Sequence, residues 1–434
     1  MQRFVIKGGN PLRGKTQING AKNAILPILA ACLLSKGECV LHNVPLLEDV
    51  FVMCDIMKHY GANIVWCGNT LVVKADDLQI QDSPTKLMKR MRASNLVLGP
   101  LICRLGEVCL TFPGGCAIGA RPMDYHLIAL NQLGVKVIND GSLIKAQAQK
   151  MRGGKIYFDF PSVGATENAL MAASLTPGRT VIYNAAREPE ISDLALFLNK
   201  MGAKITGAGS DIINIEGVSR LQGAEHAVLQ DRIEAGTMMV AAAISGGDIL
   251  LKDYRGNHCC AVISKLCEGG IEITEEQAGL RIKGNKRMRS VDIKTLPHPG
   301  FPTDLQAQFM ALLATSQGTG IVSENIFENR FRHVSEMMRF GADIKVVGDA
   351  AIVKGKPSLT GAHVKATDLR AGAALVLLAL AAHGESYVDD IHYIDRGYES
   401  FEQSLKALGA DITRQSVVLN EAVDARSALY PCYT

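Results

Sequence analysis

KHYGANIVWCGNTLVV, residues 58–73, decides the fold: a glycine turn opens a hairpin, a β-branched strand follows, a second glycine turns the chain, and a strand returns. The phrase recurs as NQLGVKVINDGSLIKA (131–146), NKMGAKITGAGSDIINI (199–215), CEGGIEITEEQAGLRI (267–282), RFGADIKVVGDAAIV (339–353) and KALGADITRQSVVL (406–419). Its anchors are Gly61, Gly134, Gly202, Gly270, Gly341 and Gly409, which lie 73, 68, 68, 71 and 68 residues apart. Self-similarity at a near-constant period marks a fold made by repeating one supersecondary unit. The whole chain therefore reads as repeat, with no unrelated module.

Ahead of each phrase stands an apolar helical run: 21–35, 93–105, 165–175, 232–245, 303–315 and 368–382. These runs lack a polar face, so their helices are expected to be buried on most sides, with the sheets outside them. After each run comes a strand such as ECVLHNV (38–44) or RTVIYNA (179–185), interleaving strands with helices. The expectation is an α/β fold. Because 434 residues exceed what one core usually organises, six units divide into two domains of three. The chain should pass between them near residues 227–231, giving a first domain of 22–229 and a second of 1–21 with 230–434. The initial FVIKG (4–8) is expected to complete the sheet of the last unit.

Bulk charge is small: Lys+Arg 46 against Asp+Glu 43 leaves +3. That argues against coating nucleic acid and confines any anion site to a focal cluster. The 11 cysteines contain no C-x-x-C pair, as expected of reduced packing residues in a cytoplasmic protein. The most apolar stretch, 371–384, is shorter than the ~20 residues of a membrane span, and the opening residues show no signal-peptide core.

Polar residues in the apolar helices gather at the N-terminal ends: Lys22 and Asn23, Arg92, Ser162 and Thr166, Asp231 and Arg232, Asp304, Asp368 and Arg370. Arg121, Arg187, Arg330 and Arg396 follow the strands. Helix N-termini present unpaired N–H groups and a partial positive charge, which suits phosphate and carboxylate. Two facing sets would make an anion trap of the cleft between them. The competing reading leaves Asp231, Asp304 and Asp368 as N-caps and the arginines as their ion-pair partners. Lys22, Arg92 and Arg370 speak against it, because a cation at a helix start opposes the dipole.

FPGGCAIGARPMDYH (112–126) departs from the repeat by placing Gly114, Gly115 and Gly119 around Cys116. A thiol is reactive as thiolate, and a nearby cation such as Arg121 favours that form. Cys116 is thus the one reactive candidate among the cysteines. His126 and His298 read as hydrogen-bonding residues, and no spacing suggests a metal site.

NGAKNAILPILAA (19–31), MRAS (91–94), PGGCAIGARP (113–122), SVGATEN (162–168), DRIEAGT (231–237), FPTDLQAQF (301–309), FENRF (327–331), ATDLRA (366–371) and IDRGYE (394–399) together resemble the UDP-N-acetylglucosamine branch of the enolpyruvyl transferase family. The resemblance runs from about residue 4 to 413. It implies an inside-out α/β barrel of two domains, each with threefold internal symmetry. The implied reaction moves the enolpyruvyl group of phosphoenolpyruvate to the 3′-hydroxyl of UDP-N-acetylglucosamine and releases phosphate, opening peptidoglycan precursor synthesis. The implied catalytic set is Cys116, Asp304, Lys22 and Arg396. Lys22, Arg92, Arg121 and Arg396 would hold phosphoenolpyruvate. Asn23, Arg121, Pro122, Asp124, Ser162, Val163, Gly164, Asp304 and Ile326 would line the sugar-nucleotide site, with Arg330 and Arg370 among the binding residues. Cys116 would protonate the enolpyruvyl methylene, and Asp304 would take the hydroxyl proton. No cofactor, metal, nucleic acid, membrane or obligate protein partner is implied.

Phe160 and Pro161 stand where the family commonly has a lysine contact to the nucleotide, and Tyr393 stands where histidine is frequent. The tail after Gln415 matches nothing in the family. Transfer to a shikimate phosphate is the nearest rival, and the Cys116 loop speaks against it. A DNA clamp would need a basic helical lining, which these apolar helices lack.

Overall fold

The computed structural model describes residues 2–114, 119, 123–285 and 287–416. It is a mixed α/β fold. Six helices lie in its interior: α1 (Lys22–Cys32), α2 (Leu98–Leu105), α3 (Val163–Ser174), α4 (Arg232–Ser245), α5 (Gln306–Ala314) and α6 (Leu369–Ala381). Every residue of α5 is buried, and so is all of α1 except Asn23. The missing polar stripe in the sequence thus has its cause in the packing: α4, α5 and α6 touch one another, and α2 packs on α3.

Two separate apolar cores result. One is drawn from residues between Ala21 and Val228. The other joins Phe4, Ile6, Leu12 and Ile18 to residues from Ile233 to Ile412. Each fully buried Leu, Ile or Phe side chain contributes roughly 1.5–3 kcal/mol of transfer free energy, so these cores supply a large drive to fold.

The strands form small sheets of one recurring order. In the first unit, strand 225–227 runs parallel to 38–42, which pairs antiparallel with 70–74, which pairs with 63–67. The third, fourth and fifth units repeat this order, and the second has three strands. In the sixth the order is 363–365, 385–389, 2–7, 411–416. Strand Gln2–Lys7 therefore fills the place of a hairpin's second strand, with Phe4 opposite both Val388 and Arg414. FVIKG does complete the last sheet, and the described part of the sixth phrase supplies its edge strand Asp411–Ser416. Among the described residues no sheet closes on itself.

A second helix in each unit escaped the sequence reading: Glu48–His59, Asp124–Gln132, Pro189–Lys200, Cys260–Glu268, Val334–Arg339 and Phe401–Ala407. Each ends at one of the anchor glycines. At Gly61, φ is 102°, its N–H bonds to the Lys58 carbonyl at 3.0 Å, and the Ala62 N–H bonds to Met57 at 3.1 Å. That is a Schellman cap, which requires the left-handed conformation and brings an apolar residue just after it onto the helix. The Gly-Ala pair of the repeat is this cap. Not all cysteines pack as expected: Cys67, Cys260 and Cys267 are exposed.

Candidate active site

The chain crosses between the cores twice, at 18–21 and 228–231, and the crossings pair. The Ala21 N–H donates to the Leu229 carbonyl at 2.7 Å and the Asp231 N–H to Asn19 at 2.8 Å. Gly20 is required there, since a Cβ would lie 1.9 Å from the Asn43 carbonyl oxygen. Ala21, which precedes α1, offers no side-chain cap. Asp231 serves both helices: Oδ1 accepts from Ile233 and Glu234 of α4 at 2.7 and 3.1 Å, and Oδ2 accepts the Lys22 N–H at 3.2 Å. The α1 and α4 N-termini, one from each core, are thereby fixed side by side.

Lys22, first residue of α1, is buried with its Nζ 2.7 Å from Asp49 Oδ2. Arg396 reaches the same carboxylate, Nε to Oδ1 at 2.9 Å and Nη2 to Oδ2 at 3.2 Å. Burial pulls the Lys22 ammonium pKa below its usual value; Asp49 opposes this, while Arg396 and Arg370 add to it. Burial would raise the pKa of Asp49, but Lys22 and Arg396 outweigh burial and hold it low. Cations from α1, α6 and the 396 turn are therefore close enough to repel.

Asp304 lies in the short turn Thr303–Leu305 that leads directly into α5. Its Oδ1 accepts from Arg330 Nη2 at 2.8 Å, and its Oδ2 accepts from Arg370 Nη2 and Nε at 3.1 and 3.3 Å. Both arginines are buried at 4% exposure, whereas the Asp304 side chain is 27% exposed. Arg370 also lies over the Tyr398 ring at 5.4 Å. The Tyr398 hydroxyl meets Thr237 Oγ1 at 2.8 Å, and Gln308 Nε2 donates to Tyr398 Oη and Thr237 Oγ1 at 3.2 Å each. Of the three aspartates that could be caps, Asp231 and Asp368 cap α4 and α6, and Asp304 alone is a clamped, partly open carboxylate.

The first core supplies a second group. Ser162 caps α3, with Val163 and Gly164 in its first turn, all half-buried. Gly164 lies against His126, whose ring a Cβ would meet at 3.1 Å. Burial, and next the charge of Arg92, push the His126 pKa down to about 3, so the imidazole is neutral and bonded to Asn168 Nδ2 at 2.9 Å. Asp124 is exposed at the start of its helix, and Asn23 is half-buried beside Lys22. Ile326 is half-buried in a loop whose Glu324 accepts the Ile326 N–H at 2.9 Å. Among the described residues, no hydrogen bond or ion pair joins Asp124, Ser162, Val163 or Gly164 to the Asp304 clamp. Cys116, Arg121 and Pro122 lie outside the described residues. Gly119 of that loop is described, and a Cβ on it would come within 2.6 Å of Glu328 Oε2. Gly119 thus lies against the segment that carries Ile326 and Arg330.

Three acidic side chains of the first core, none of them foreseen, bind residues of the second. Arg232 Nε donates to Glu190 Oε1 at 3.0 Å with both side chains buried. The His298 N–H donates to Glu188 Oε1 at 3.4 Å, and burial pushes the pKa of the His298 ring down to about 4. Asp49 is the third. In sequence, Glu48 and Asp49 look like ordinary first-turn acids of an amphipathic helix. The one available signal was that two exposed acids were unnecessary where Val50, Val52 and Met53 begin the buried face.

The family profile for EPSP synthase (3-phosphoshikimate 1-carboxyvinyltransferase) matches residues 6–405. The chain belongs to the enolpyruvyl transferase family. Within it, this enolpyruvyl transferase is 54% identical over 413 residues to UDP-N-acetylglucosamine 1-carboxyvinyltransferase 1 of Caldanaerobacter subterraneus subsp. tengcongensis, covering 95% of this chain and 99% of the relative. It is 50% identical to UDP-N-acetylglucosamine 1-carboxyvinyltransferase 2 of Carboxydothermus hydrogenoformans, over 96% of this chain and all of the relative. Among solved structures, the enolpyruvyl transferase NikO from Streptomyces tendae superposes with a TM-score of 0.87 at 24% identity, covering 96% of this chain and 99% of that one. EPSP synthase from Acinetobacter baumannii gives 0.74 at 18% identity, covering 96% and 100%. At those identities the structures speak for the shared fold alone.

Proposed function

We propose that this enolpyruvyl transferase moves the enolpyruvyl group of phosphoenolpyruvate to the 3′-hydroxyl of UDP-N-acetylglucosamine with release of phosphate, the opening step of peptidoglycan precursor synthesis. The full-length relatives at about half identity carry that activity in their names. The observation that carries the reading on this chain is the convergence of Lys22 and Arg396, from different cores, on one buried point, with Arg370 and Asp304 nearby.

The chemistry needs an acid at the alkene carbon, a base at the hydroxyl and cations on the phosphate. Protonation of the methylene, assigned to Cys116, makes an oxocarbenium-like carbon. The sugar oxygen attacks it while its proton passes to Asp304, giving a tetrahedral ketal. Loss of a methyl proton and of phosphate restores the double bond on the sugar. Lys22, Arg92, Arg121 and Arg396 hold phosphoenolpyruvate, and Arg330 and Arg370 orient Asp304. Asn23, Pro122, Asp124, Ser162, Val163, Gly164 and Ile326 line the sugar-nucleotide side. Phe160, exposed where a lysine is common, leaves that side with one cation fewer. Residues 22–229, and 1–21 with 230–434, act as two domains of three units, each an inside-out barrel of buried helices, closing on the substrates to exclude water.

The test is to incubate the protein with both substrates and follow phosphate release beside product mass. Phosphate released in step with a sugar nucleotide heavier by one enolpyruvyl group supports the reading. Release without that product, or no release, contradicts it.

A further inference from the structure

We propose that Asp49 is a positioning residue for phosphoenolpyruvate, fixing Lys22 from the first core and Arg396 from the second in a single orientation toward the substrate's anionic groups. The inference rests on the assignment of those two cations to phosphoenolpyruvate.

Asp49 is 3% exposed, and both of its oxygens are engaged. Oδ1 meets Arg396 Nε at 2.9 Å, and Oδ2 meets Arg396 Nη2 at 3.2 Å and Lys22 Nζ at 2.7 Å. The guanidinium is gripped along one edge, which fixes its plane as well as its position. Asp49 takes one of the three Lys22 ammonium donors and leaves two for a ligand. The arginine lies 347 residues along the chain, so this contact ties the α1 side of the cleft to the 396 turn. The neighbouring Leu46 N–H donates to Glu399 Oε2 at 2.9 Å, docking the same two turns. Glu48, next to Asp49, is spent on Arg90 at the surface. The helix start thus carries two acids with separate tasks.

Charge explains why Asp49 does not take the substrate's place. One carboxylate faces Lys22 and Arg396 together, and Arg370 adds a further positive field at Lys22. Lys22, Arg396 and Asp49 together carry one positive charge, which favours an anion. Asp49 also protects the Lys22 charge: burial lowers the ammonium's pKa, and Asp49 is the first influence working against it. Without that carboxylate the ammonium would lose its proton at lower pH, and phosphoenolpyruvate binding would fail on the alkaline side.

The test is Asp49→Asn in the full chain. A charge-assisted contact is worth enough that the KM for phosphoenolpyruvate should rise by about tenfold or more, with kcat less affected. The alkaline limb of kcat/KM for phosphoenolpyruvate should move to lower pH, UDP-N-acetylglucosamine affinity by calorimetry should be unchanged, and Asp49→Glu should recover part of the loss. An unchanged KM and unchanged limb would overturn the proposal. So would a joint loss of phosphoenolpyruvate affinity, sugar-nucleotide affinity and melting temperature, which would make Asp49 a structural tether. Lys22→Gln and Arg396→Gln serve as controls: if neither raises the KM for phosphoenolpyruvate, the cation assignment fails and this inference with it. A silent Asp49→Asn beside sensitive cation variants defeats this inference alone.

Discussion

Asp304 illustrates how much a side chain's task depends on what surrounds it. Asp231 and Asp368 present the same residue type at similar positions, yet each caps a helix by accepting backbone N–H groups. Asp304 faces two buried guanidiniums from Arg330 and Arg370 and stays partly open. A carboxylate so oriented can receive a proton as the C–O bond forms. General-base catalysis typically supplies about 10²–10⁴-fold, so Asp304→Asn should lower kcat by that order. Sugar-nucleotide binding, read by calorimetry, should remain measurable in the variant. Near-normal phosphate release from Asp304→Asn would remove it from this role. Sequence could list the three aspartates and could not separate them, because capping and clamping differ only in which distant groups arrive. Asp49 was missed for the same reason: its partners lie 27 and 347 residues away.

At the scale of the element, the anchor glycines made the repeat legible. Six positions needing left-handed backbone at near-equal spacing leave a mark no packing detail can blur. The second helix of each unit left no such mark. It exposes one face, so its apolar residues are diluted, and in Val334–Arg339 it spans only six residues. The caps can be tested in a pair. Gly202 has φ of 104° with no atom near its would-be Cβ, so Gly202→Ala measures backbone strain alone, roughly 1–2 kcal/mol. Gly61 has φ of 102° and the Asp77 carbonyl oxygen 2.6 Å from a Cβ, so Gly61→Ala should cost more. Urea denaturation of both variants checks the order. Equal costs would mean the 77–78 segment yields freely.

Across the whole molecule, the paired crossings decide how the cores face one another. Glu234 sits there, accepting from the Asn19 N–H and Nδ2 at 3.1 Å each. Burial, and then the neighbouring charge of Asp231, push its pKa up to about 8. The folded protein therefore holds a proton that the unfolded chain releases near 4.3. Stability should be greatest below the ordinary carboxylate range of the unfolded chain and fall as pH rises toward 8, for this group alone. Glu234→Gln should flatten that slope in urea midpoints taken between pH 5 and 8.5. A slope unchanged by the substitution would show that other groups cause it. The sequence showed that cations collect at helix starts, but not that Arg232–Glu190 and Arg396–Asp49 join residues of the two cores. Such pairs carry no periodicity and arise only when both cores have formed.

The central claim is that this cleft serves phosphoenolpyruvate and a sugar nucleotide, and acceptor choice tests it most directly. In a steady-state assay with phosphoenolpyruvate, UDP-N-acetylglucosamine and shikimate 3-phosphate are offered in turn, and phosphate release is recorded. The account predicts saturable release with UDP-N-acetylglucosamine and none above background with shikimate 3-phosphate. Turnover with shikimate 3-phosphate and none with the sugar nucleotide would contradict it.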